Sequence, residues 1–112
     1  MAKLERSLTG DFDRFLDHIN RGIIGGSISA SFEDGSDWRE GLVRVAVRVY
    51  ERYSWIGGNR VSLSITIIGS GQNLFITAVT SGGSQAVFFK VNTFGEQSFL
   101  GKLEALIADY PG

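Results

Sequence analysis

From Val43 the polarity of the chain alternates with a period of two. Val43, Val45, Val47 and Val49 fall on one side, and Arg44, Arg48, Tyr50 and Arg52 on the other, which predicts a strand whose valine side faces a core. The same period gives an earlier strand, with Ile24, Ile28, Ala30 and Phe32 set against Ser27, Ser29 and Ser31. A later strand sets Val61, Leu63, Ile65 and Ile67 against Ser62, Ser64 and Thr66. Gly25-Gly26 reads as a bulge in the first of these. Toward both ends the period is helical. Thr9 caps a helix over about residues 9–21, with Asp11 and Asp13 against the positive end of its dipole, Phe12, Phe15, Leu16 and Ile19 on one face, and Gly22 at the C-cap. Thr93-Phe94-Gly95-Glu96 matches a capping box, followed by a stripe of Phe99, Leu100, Leu103, Leu106, Ile107 and Tyr110 that Pro111 ends.

Turn chemistry sets the register, because a slip of one residue exchanges the faces of a strand. A turn at Ser70-Gly71 pairs Ile67 with Leu74, Ile65 with Ile76 and Leu63 with Ala78, leaving Phe75, Thr77 and Val79 outward. A second turn at Gly82-Gly83 pairs Ala78 with Val87, Ile76 with Phe89 and Leu74 with Val91, and adds Ala86, Phe88 and Lys90 to the outer face. A three-residue loop, Ile56-Gly57-Gly58, keeps the valines of the second strand from lying opposite the serines of the third. The predicted fold is α+β: one domain over residues 1–112, in the order helix, five-stranded antiparallel meander, helix, with both helices on the valine face.

Two helices cover only one face of such a sheet. The other is expected to carry serines and arginines early and Phe75, Val79, Ala86 and Phe88 late. Leaving large apolar side chains in water forgoes about 1.5–3 kcal/mol for each, so the pattern predicts a partner there. A second copy of the chain, giving a homodimer, is the expected occupant.

Composition narrows the classes. The 112 residues suit one domain. A net charge of −1 gives no general attraction to polyanions or membrane surfaces, and the absence of cysteine excludes disulfides and thiolate metal sites and suits the cytoplasm. Met1 to Arg6 is too charged for an export signal. No charge occurs from Val61 to Phe89, but Gly69-Ser70-Gly71 and Ser81-Gly82-Gly83-Ser84 interrupt that stretch at hairpin spacing, against a membrane span.

Candidate chemistry is sparse. His18 is the single histidine, on a polar helix flank where it reads as a solvated side chain. Glu33, Asp34, Asp37 and Glu40 cluster between the first two predicted strands without the spacing of a cation-binding loop. Gly69-Ser70-Gly71 joins two strands, unlike a phosphate loop, and at Gly95 the capping box already occupies the helix amides. Trp38 and Trp55 lie near strand ends, as partner anchors or as packing over a core edge. The one constellation worth a binding hypothesis, for a phosphate, a carboxylate or single-stranded nucleic acid, is Arg44, Arg48 and Arg52 with Tyr50, aligned on one sheet face, although solvated arginines salt-bridged across a dimer are the favoured reading. Nucleic acid is disfavoured by the acidic balance and by the lack of paired stacking aromatics. No catalytic, metal or cofactor site emerges.

The Gly10-Asp11-Phe12 helix opening, the Val43 to Tyr53 strand and Phe94-Gly95-Glu96 leading into Phe99-Leu100 resemble an uncharacterised family of small bacterial proteins of unknown function. That resemblance implies no activity. The expected function is that of a non-enzymatic, self-associating domain. The alternative is a carrier or sensor of a small amphipathic acid, with Phe75, Val79 and Phe88 on its apolar body and Arg48 or Arg52 on its head group. Enzymatic catalysis ranks third.

Overall fold

The computed structural model describes residues 2–26, 30–53, 60–82 and 89–111, with side chains at all of these except 53 and 89–98. The elements run β1 (Ala2–Thr9), α1 (Phe12–Gly25), β2 (Ser31–Glu40), β3 (Val43–Tyr53), β4 (Arg60–Ser70), β5 (Asn73–Gly82) and α2 (Phe89–Asp109). The strands form one antiparallel sheet in the order β1-β5-β4-β3-β2. Both helices cover the same face. Phe15, Ile19 and Ile23 of α1 and Phe99 and Leu103 of α2 are buried with Leu63, Ile65 and Ile67 of β4 and Ile76 and Ala78 of β5.

The α+β class, the five antiparallel strands and the two helices stand, but the chain reaches them in a different order. Its first element is a strand: Ala2, Leu4 and Leu8 are half-buried on the helix side while Lys3, Glu5 and Ser7 point away. This strand takes the place of the predicted fifth. Ala78 lies opposite Leu4, Ile76 opposite Arg6 and Leu74 opposite Leu8, instead of Val87, Phe89 and Val91. Phe89, Lys90 and Val91 begin α2, so the expected capping box at Thr93 to Glu96 lies inside that helix. Ala86, Val87, Phe88, the loop at Ile56-Gly57-Gly58 and Trp55 lie outside the described residues.

Asp11 caps α1 in place of Thr9, its Oδ2 accepting from the Arg14 amide at 3.0 Å. The helix then runs past the predicted end to Gly25, with Gly26 as C-cap, so Gly25-Gly26 ends a helix and bulges no strand, and Ile24 is helical. The acidic residues expected in a loop, together with Trp38, lie on β2, whose one bulge falls between Phe32 and Asp34.

Both described hairpins turn on two residues, Gly41-Leu42 and Gly71-Gln72, with the glycine at φ +59° and +60°. No described non-glycine residue has positive φ, which fits turns with glycine in the first central position. The β4–β5 turn is one residue later than predicted, so Ile67 pairs with Ile76, Ile65 with Ala78 and Leu63 with Thr80. The register moves by two, and every side chain keeps its predicted face.

Candidate interaction face

On β3 the two faces are exchanged relative to expectation. Ala46 and Tyr50 are buried under the helices, whereas the valines lie on the uncovered face, with Val47 opposite Thr66 and Val49 opposite Ser64. This register places valines opposite hydroxyl side chains, the pairing that a three-residue β3–β4 loop is expected to avoid. The helix side accepts Arg44, Arg48 and Arg52 because their stems pack while their guanidinium groups find partners. Arg44 Nη1 donates to Asp13 Oδ2 at 2.8 Å, and its guanidinium lies 4.4 Å from the centroid of the Phe12 ring. The Arg44 hydrogen bond holds the Asp13 carboxyl below its ordinary value, and Asp13 raises Arg44 in turn. Arg48 Nη2 donates to Asp37 Oδ1 at 2.9 Å, and its Nη1 to the carbonyls of Val47 at 2.8 Å and Ser36 at 3.2 Å. Arg52 stacks 4.6 Å from the Phe99 centroid, and burial lowers its pKa. Tyr50 donates to Asn20 Oδ1 at 2.7 Å; burial pushes its phenol up to about 12, with the Arg48 charge opposing. The four residues predicted for the outer face thus fasten α1, α2 and β2 to the sheet.

Their replacement by valines leaves the uncovered face more apolar than expected. Cross-strand pairing arranges it in rows. One row reads Trp38, Val45, Ile68, Phe75, Ser7 from β2 to β1; the next reads Ser36, Val47, Thr66, Thr77, Glu5; a third reads Asp34, Val49, Ser64, Val79, Lys3. Trp38 is 54% exposed, Ile68 38% and Val43 37%. Phe75 and Val79 are where the sequence placed them. Trp38, Ile68 and the valines were missed as members of this face, since alternation shows that a strand has two faces but not which is covered. Charge is confined to the margins, with Lys3 and Glu5 on β1, Asp34 and Glu40 on β2, and Arg60 beside Glu51 at 2.9 Å. No helix or strand of the described residues crosses this face.

Other candidates are structural. His18 Nε2 donates to the Leu106 carbonyl at 2.7 Å, one of the last carbonyls of α2 with no partner inside its helix. Lys102 donates to the Gly26 carbonyl at the end of α1. Each helix therefore closes the C-terminus of the other. The acidic side chains of β2 point to both faces, and among the described residues no three potential ligands come together around a metal position. A groove of about 600 Å³ between α1 and β2 is lined by Leu16, Ile24, Ala30 and Phe32, with Arg48 at its wall. Among the described residues no helix is long and apolar enough to cross a membrane.

These features define a two-layer α+β protein whose antiparallel sheet has one face left uncovered by the described helices. The chain belongs to DUF6054, a family of unknown function, whose model matches residues 1–111. No curated protein and no solved structure matches it significantly.

Proposed function

We propose that the chain is a non-enzymatic domain, working in the bacterial cytoplasm, that associates with a second copy of itself through the uncovered sheet face. The observation that carries this reading is the row Trp38, Val45, Ile68 and Phe75, four apolar side chains side by side on four strands that no described helix or strand covers. A second copy suits the face better than a smaller partner on grounds of area. Five strands about 4.8 Å apart and seven positions rising about 3.3 Å each give a flat footprint of about 550 Å², or about 1,100 Å² over two copies, which clears the roughly 1,000 Å² in total that a specific interface needs. Pairing through the β2 edge is disfavoured, because Glu33, Asp34, Asp37 and Glu40 would meet the same residues of the other copy.

The test is sedimentation of Phe75→Asp. Its carboxylate would be desolvated within the interface, opposite Val45 or a neighbour, so the variant is expected to be a monomer with an unchanged far-UV spectrum at concentrations where the parent chain is a dimer. A parent chain that stays monomeric at high concentration overturns the proposal.

The carrier reading moves from the sheet face to the groove beside α1, which supplies an apolar lining from Leu16, Ile24 and Phe32. Arg48 is already committed there to Asp37 and two carbonyls, which weighs against its holding an acidic head group. Native mass spectrometry of gently purified protein separates the readings, since retained small-molecule mass on a monomer would favour the carrier.

A further inference from the structure

The geometry points to one arrangement of the two copies: a two-fold axis lying between the faces and running parallel to β4. The inference rests on self-association through the sheet face and adds which residues meet. Such an axis lays each cross-strand row over the same row of the other copy in reverse order. β4 then meets β4, β3 meets β5, and β2 meets β1.

In the apolar row Ile68 meets Ile68 and Val45 meets Phe75; in the third row Val49 meets Val79 and Ser64 meets Ser64. At the ends of that third row stand Lys3 and Asp34, which the reversal places over one another twice per dimer. Both are exposed, and among the described residues neither forms an ion pair. Packed sheets cross at about 30°, which turns the axis about 15° away from β4 and shifts the row ends by about 5 Å, a distance a lysine side chain spans.

The competing two-fold axis runs across the strands, along the Ser36 to Glu5 row. It lays every strand over itself, brings Glu5 onto Glu5 and Trp38 onto Asp34, and leaves Lys3 over Ser7. Like charges at close range and an aromatic over a carboxylate make it the poorer fit.

Two measurements test the assignment. In this cysteine-free chain Ser64→Cys, a nearly isosteric change on the axis, should cross-link to itself with a short bis-maleimide, each thiol adding across one maleimide double bond. Thr77→Cys should not, but should cross-link to Val47→Cys in a mixed sample. Lys3→Asp and Asp34→Lys should each weaken the dimer about tenfold, as two modest ion pairs turned repulsive require, and the double variant should recover most of the loss. Self-cross-linking of Thr77→Cys, or a double charge variant no tighter than the weaker single one, overturns this axis while leaving the dimer in place. A parent chain with no dimer at all removes both the axis and the association reading beneath it.

Discussion

Tyr50 shows how one residue joins the two layers. Its ring is buried on the sheet, its hydroxyl donates to Asn20 on α1, and its edge meets the Phe32 ring at a centroid distance of 5.9 Å. Because burial raises its folded pKa to about 12, above the value near 10 expected in the unfolded chain, the unfolded state loses its proton first as pH rises. The stabilisation from the neutral buried phenol is therefore complete below about pH 10 and is lost as pH climbs toward 12. Denaturant midpoints across that range are expected to fall for the parent chain and to fall less for Tyr50→Phe. At neutral pH that variant should lose about 1 kcal/mol, since the half-exposed Asn20 can turn to water. Gly69 works by what it lacks: a Cβ there would stand 2.6 Å from Phe12 Cδ2, so the bare backbone lets the Phe12 ring lie on the sheet beneath Arg44. Neither role is legible from alternation. Arginine and tyrosine score as polar when a strand is divided into two sides, yet their stems and ring are the parts that pack.

At the level of elements, β3, β4 and β5 were legible because their alternation is long and uninterrupted, and α1 because its apolar face is regular. β1 was missed for two reasons. Arg6 occupies a helix-facing position between Leu4 and Leu8, breaking the pattern, and Arg6 is held there by Glu104 of α2, a partner distant in sequence. The start of α2 was misplaced because Phe89 to Val91 are as acceptable in a strand as in a helix, and the β5 edge they were expected to take is held by β1. Face membership on β5 survived a wrong turn position because the error was even, whereas on β3 a loop choice inverted it. Glycine supplies an element-level prediction. Gly101 sits within α2 with open space around its Cα, so Gly101→Ala should stabilise by about 0.5–1 kcal/mol. Gly71 at φ +60° should make Gly71→Ala destabilising by about 1 kcal/mol. Thermal unfolding of the two variants should shift in opposite directions.

For the whole molecule, the pairing of β1 with β5 has a kinetic consequence. β2 to β5 form a run of neighbours in sequence, but β1 reaches its place by bringing Ala2 opposite Thr80, a closure across most of the chain. The entropy of that closure is recovered only once β5 has formed, so β1 is expected to dock last during folding and to lift first from the native state. Hydrogen exchange should show the amides of β1 opening ahead of those of β4; equal protection in both strands would mean that the sheet opens only as a unit. Lys3 rides on β1, so its departure would also remove the basic end of each row that meets Asp34 in the proposed dimer. Protection along β1 should then rise with protein concentration, making the last strand to fold the one that assembly secures.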